Sequence, residues 1–303
     1  MSTGSRRRRL TIGAAIFVPT AAIAAVVFVP RDHARQVDLE EVVDRFRAST
    51  VPTPADQPID QSIAPGGTDA PLAPATAEVT TTSGADAPTS LAPVPPPPAL
   101  VEAGVYVYRT TGFETIDAFS GVTHDYPAET SITVVADGCG VLLRWDALAE
   151  RREEWRLCST PVGIELQPVA LQYHEFFGQQ TPETVTCDVP VLLVPTVDGQ
   201  AGAFDPVAQT CTLDTDPWSP VWEVLETDTR TVDGATVDVR HVRMTIDDND
   251  QYFEHYVADW YLAPSGLPVQ LVVLKQSKSP SVAGDVVYDE QVLLDLVDLD
   301  PLR

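Results

Sequence analysis

The chain has 303 residues, and its 44 acidic side chains outnumber 19 basic ones for a formal net charge of −25. So negative a polymer repels nucleic acid and anionic membrane surfaces, which excludes those partners as a class. Its 27 prolines and 5 tryptophans are unevenly spread, so only part of the chain has the composition to build a core.

Residues 1–9 form a basic tail with four consecutive arginines, Arg6 to Arg9, and residues 10–30, LTIGAAIFVPTAAIAAVVFVP, carry no charge. Twenty-one such residues at about 1.5 Å each match a hydrocarbon layer of roughly 30 Å. The pattern predicts a single transmembrane helix in the plasma membrane. The arginines hold the N-terminus in the cytoplasm and leave the bulk of the chain outside. A cleaved signal peptide, giving a secreted protein, is the competing reading. Its apolar region is usually shorter and ends in a small-x-small site, whereas this run continues into FVPRDHARQ. The first cysteine is Cys139, so no cysteine stands near the run to carry a lipid anchor.

Residues 31–50 form a juxtamembrane segment in which Leu39, Val42, Val43 and Phe46 fall on one helical face. A helix of about three turns frays unless something covers that face. Residues 51–100 hold 12 of the prolines and no aromatic residue, the composition of a disordered Pro/Ala/Thr-rich linker. Such a linker reaches about 40 Å as a coil and roughly 150 Å if extended.

Residues 101–303 contain every tryptophan and cysteine, with 34 acidic against 11 basic residues. Short β-branched and aromatic runs, punctuated by Asp137-Gly138, Asp198-Gly199 and Asp233-Gly234, predict an extracytoplasmic all-β domain of about ten antiparallel strands. No nucleotide-binding glycine pattern and no strand–helix alternation occurs.

The cysteines read as two disulfides. If VLLRWDAL and RREEWRLC pair about the centre of DALAER, residues whose numbers add to 297 face one another, so Cys139 meets Cys158. Arg144 then faces Glu153, Asp146 faces Arg151 and Leu142 faces Trp155. A short helix in DALAERREEW is the alternative. Cys187 and Cys211 are symmetric about Gly199, so a hairpin turning there joins them. Both bridges require an oxidising compartment, in agreement with the outward topology.

Catalytic and metal signals are thin. His174-Glu175 opens like a zinc-protease motif, but Gly178 occupies the position of the second histidine. His124, His241 and His255 stand singly, and Asp247, Asp248 and Asp250 read as a polar hairpin loop rather than a calcium loop. No catalytic residue, metal ligand or cofactor is predicted, and the chain reads as a non-enzyme.

Trp260 followed by a turn into Gly266, Leu267, Pro268 and Val269, and then by the closing run GDVVYDEQVLLDLVDLDPL, resembles the C-terminal strands of the lipoprotein-localisation-factor-like family (LolA/LppX/LprG-like half-barrels). The resemblance implies a strongly curved antiparallel sheet around an apolar groove for acyl chains. The chain departs from the family in lacking a lipidated cysteine and in having few helical segments within the domain. Two readings follow. In one, the tethered domain binds a lipid or other amphiphile in a groove that includes Leu143, Trp155, Phe176, Phe177 and Trp260. In the other, it is a structural or protein-interaction module of the bacterial cell envelope, its partner an envelope protein or wall polymer, with no pocket at all.

Overall fold

The computed structural model describes residues 34–50, 96–118, 121–196, 205–214, 216–248, 254–281 and 284–303. The apolar run 10–30 and most of the linker, 51–95, lie outside the described residues. Among the described residues no helix is long and apolar enough to cross a membrane.

Among the described residues one helix, α1 (Leu39–Thr50), precedes seventeen strands. The first seven are β1 (Gly104–Ile116), β2 (Val122–Asp125), β3 (Glu129–Asp137), β4 (Gly140–Leu148), β5 (Arg151–Thr160), β6 (Gly163–Leu166) and β7 (Val169–Phe176). Five short or edge strands follow, β8 (Gln179–Cys187), β9 (Val191–Pro195), β10 (Val207–Ala208), β11 (Cys211–Leu213) and β12 (Asp216–Trp218). The long strands β13 (Val221–Val232), β14 (Ala235–Asp248), β15 (Glu254–Leu262), β16 (Pro268–Ser281) and β17 (Gly284–Leu296) complete the chain. The expectation of about ten strands is thus low, because several strands are only two to five residues long and leave little trace of alternation in the sequence.

Every ladder is antiparallel. From one end the order runs β13, β14, β15, β16, β17, β1, β3, β4, β5, β7, β8 and β11, with β2 also on β1, and β6 and β9 continuing beside β5. The sheet is not closed. Between β8 and β13 lies a strap, residues 207–213, whose β10 pairs with β13 and whose β11 pairs with β8. The chain turns from β13 to β14 at Asp233 and Gly234, with φ of 45° and 78°, the paired left-handed backbone that a two-residue hairpin demands. Gly112, with φ of 138°, lets β1 press against β17: a Cβ there would lie 1.9 Å from the Gln291 carbonyl oxygen.

The β4–β5 pairing corrects the sequence register by one residue. Opposed residues add to 298, giving Leu143 against Trp155, Arg144 against Glu154 and Asp146 against Arg152, with a bulge before Leu148. Cross-strand partners share a face, so the buried sets Val141, Leu143, Trp145 and Glu153, Trp155, Leu157 meet only in this register. The charges still pair on the outer face, where Arg144 Nε lies 3.9 Å from Glu154. Both disulfides form, Cys139–Cys158 from the turn before β4, and Cys187–Cys211 between ladder partners on β8 and β11. They point to an oxidising, extracytoplasmic environment. The second pair is not a simple hairpin, because β9 departs between its halves to pair with β6.

Helix α1 has a partner. Val42, Val43 and Phe46 are buried with Val105, and Val37, Leu39, Ala103 and Val135 pack around them. Arg35 donates from its backbone N (2.8 Å) and Nε (2.7 Å) to the Glu150 carboxylate, and its carbonyl accepts from Ala149 N at 3.0 Å. Arg47 donates to the Arg303 carbonyl at 2.8 Å. Residues 34–50 therefore pack directly on the β domain, while the expected linker between them lies in residues 51–95, outside the described residues.

Candidate functional site

The interior divides into a polar layer and an aromatic cavity. The polar layer is one cross-strand row: Ile246, Tyr256, Lys275, Glu290, Glu114 and His124 are successive ladder partners from β14 to β2. The inward alternation of β5 brings Arg151 and Glu153 to the same level, and β7 sets His174 opposite Arg151 and Gln172 opposite Glu153.

Two carboxylates, Glu114 and Glu290, face each other directly across the β1–β17 ladder, at 0% and 1% exposure. Such a pair survives burial only if cations and donors surround it. Arg151, 1% exposed, provides the charge: Nε and Nη2 reach Glu290 at 3.1 and 3.2 Å, and Nη2 also binds Glu153. Tyr126 donates its hydroxyl to Glu290 at 2.5 Å. Glu114 accepts from His124 Nδ1 at 2.9 Å, His174 Nδ1 at 3.2 Å and the Tyr288 hydroxyl at 3.1 Å. Burial by itself raises the Glu114 pKa, but the histidine hydrogen bonds and the Arg151 charge outweigh it and hold the carboxyl at about 2. Glu290 is likewise held below the usual carboxylate range, its burial overcome mainly by Arg151. Phe176 stacks on His124 with ring centroids 4.7 Å apart, closing this layer.

The second part is a cavity of about 40 Å³ on the inner side of the strap. Its deep wall is aromatic, formed by Trp155, Trp218, Trp222, Trp260 and Tyr256 with Met244, and half-buried Leu166, Gln167, Pro168 and Ala170 form its rim. The strap is fastened by the Cys187–Cys211 bridge and by Gln209, whose side-chain oxygen accepts from Trp222 Nε1 at 2.8 Å and whose amide donates to the Val189 carbonyl. Trp218 Nε1 donates to Glu254 at 3.1 Å. Gln172 Oε1 and Trp260 Nε1 are buried and find no hydrogen-bond partner among the described residues. Both side chains line the cavity.

The predicted groove residues separate. Trp155 and Trp260 line the cavity, and Leu143 lies beside them in a crevice of about 10 Å³. Phe176 belongs to the polar layer, and Phe177 sits at the β7–β8 turn with φ of 55°. His124, read as standing singly, shares Glu114 with His174. The polar layer was missed because its members are scattered from Glu114 to Glu290. The available signal was alternation: in RREEWRL the inward set containing Trp155 and Leu157 also contains Arg151 and Glu153. Among the described residues no group of His, Cys, Asp or Glu has the arrangement of a metal site.

No protein family, no characterised protein and no solved structure matches the chain.

Proposed function

We propose that this is a non-enzymatic binding domain of a bacterial cell envelope, anchored in the plasma membrane by residues 10–30, with its ligand site in the interior beneath the strap. The observation that carries the reading is a cavity walled by five aromatic residues, Trp155 and Trp260 among them, beneath a strap held by the Cys187–Cys211 bridge. Concave, mostly apolar sites with a few placed polar groups are how folds hold small molecules. The open, bent sheet agrees with the half-barrel that the C-terminal strands resemble. A long acyl chain does not fit about 40 Å³, so an amphiphile enters only if the strap lifts. The second reading, an envelope interaction module without a pocket, draws its support from the same small volume: the rest of the core is filled by side chains.

Native mass spectrometry of the chain from Ala34 onward, exported so that both bridges form and compared before and after organic extraction, separates the two. A co-purifying small molecule supports interior binding, and a bare mass shifts the search to protein or wall partners. Thiol labelling on intact cells after reduction tests the topology: labelling only after lysis would overturn the outside assignment.

A further inference from the structure

We propose that the outer edge of β13 is a self-association surface, where two copies of this chain pair strand to strand about a two-fold axis through Thr229. The inference concerns the outside of the sheet and does not depend on what the cavity holds.

Three observations carry it. The first is an open edge. β10 covers β13 only at Val221 and Trp222, and from Glu223 to Val232 the strand has β14 as its sole ladder partner among the described residues. Glu226, Thr227, Asp228, Thr229 and Thr231 are exposed. The two-residue turn at Asp233 and Gly234 makes Val232 and Ala235 a hydrogen-bonded pair. Alternate residues back along β13, Thr231, Thr229 and Thr227, therefore turn their N–H and C=O groups away from β14.

The second is how that edge is answered within one chain. Thr229 N–H donates to Asp228 Oδ1 at 2.7 Å, and the Thr229 carbonyl accepts from Arg230 Nη1 at 2.9 Å. Arg230 also donates to Asp228 Oδ2. Neighbouring side chains thus stand in for the strand that the edge lacks, and a row of outward backbone groups is what an added strand takes up.

The third is symmetry. The edge runs Thr227, Asp228, Thr229, Arg230, Thr231. Antiparallel pairing centred on Thr229 sets Thr229 against its own copy, Thr227 against Thr231, and Asp228 against Arg230 of the second chain. A two-fold contact must be self-complementary, and this one pairs opposite charges on both sides of its axis. Centring on Asp228 or Arg230 instead would oppose like charges and present backbone groups already bound to β14. Each copy carries −25 overall, but physiological salt screens that repulsion beyond about 8 Å, whereas the charges at the seam are in contact. A seam this short makes a weak, reversible dimer.

The test uses the full disulfide-bonded chain, purified after export. Facing residues of a hydrogen-bonded pair have Cα atoms about 5.5 Å apart, within disulfide reach, so Thr229→Cys should cross-link two copies under mild oxidation. Thr236→Cys, exposed on β14 one strand further in, should not. Asp228→Arg and Arg230→Asp, each combined with Thr229→Cys, should cut cross-linking at least about tenfold, because both charge pairs become repulsive. Mixing the two charge variants, or placing both changes in one chain, should restore it. Unchanged melting shows that the fold has survived, and one intact reversal suffices. Equal cross-linking of Thr229→Cys and Thr236→Cys, or reversals without effect, overturns the proposal. So does a monomer whose Thr229→Cys thiol resists a soluble thiol reagent, since a segment of the same chain then covers the edge. Stronger association of Asp228→Ala/Arg230→Ala would overturn it as well, by showing that the pair guards the edge instead of joining two copies.

Discussion

The ring of Trp155 on β5 meets that of Trp260 on β15 edge-on, with centroids 4.9 Å apart and planes at 86°. The two strands are six ladder steps apart through β4, β3, β1, β17 and β16. A flat sheet with strands about 4.8 Å apart would separate them by nearly 30 Å. Their contact therefore measures how far the sheet bends onto itself, and it closes the inner end of the cavity.

The bend depends on this pair. Truncating either ring to alanine should cost about 3–5 kcal/mol by loss of buried area and creation of a cavity. The double variant should cost about 1 kcal/mol less than the sum of the singles, the usual worth of an edge-to-face contact. Urea unfolding followed by circular dichroism measures both; strict additivity would show that the rings do not couple.

Acid should unfold the domain through Glu114. Its carboxyl titrates at about 2 when folded and near 4.5 when free, so the unfolded chain binds the proton more readily. The stabilisation is complete above about pH 4.5 and is lost as pH falls towards 2, a loss of roughly 3 kcal/mol. Glu290, also depressed, adds to it in the same direction. Glu114→Gln should lower stability at neutral pH and flatten its dependence below pH 4.5. A denaturation series from pH 7 to pH 2.5 reads both, and an unchanged acid slope would remove Glu114 from the account.

Reduction should loosen the strap before it unfolds the sheet. The Cys187–Cys211 bridge closes a sequence separation of 24 residues, and removing it costs about 3 kcal/mol of loop entropy. In Cys187→Ser/Cys211→Ser, Gln209 loses its fixed place beside Trp222, so tryptophan emission should shift to the red under native conditions. The matching change at Cys139 and Cys158 should lower the melting temperature without that shift, since those residues lie away from the cavity wall.

Removing the face of α1 should expose the β1–β3 surface. Phe46→Ala should cost about 3 kcal/mol and make residues 34–50 sensitive to protease, whereas Glu40→Ala, at an exposed position, should change stability by less than about 0.5 kcal/mol. Equal effects would mean that the helix does not dock in solution.

The sequence by itself determined the β class, the disulfide partners and the helical face of residues 39–50, because these rest on local alternation, on chemistry that only cysteines perform, and on a period of 3.6. It also marked Trp155 and Trp260 as interior. Tertiary structure decided the rest. Facing Cys139 with Cys158 and matching Arg144, Asp146 and Leu142 to partners chose a register one residue from the real one, since burial of Trp145 and Leu143 outweighs surface ion pairs worth a fraction of a kcal/mol. It brought together Glu114, His124, Arg151, His174 and Glu290, which no spacing in the chain connects. And it set Gln172 and Trp260 against one cavity, a relationship between strands far apart in sequence that exists only once the sheet has bent.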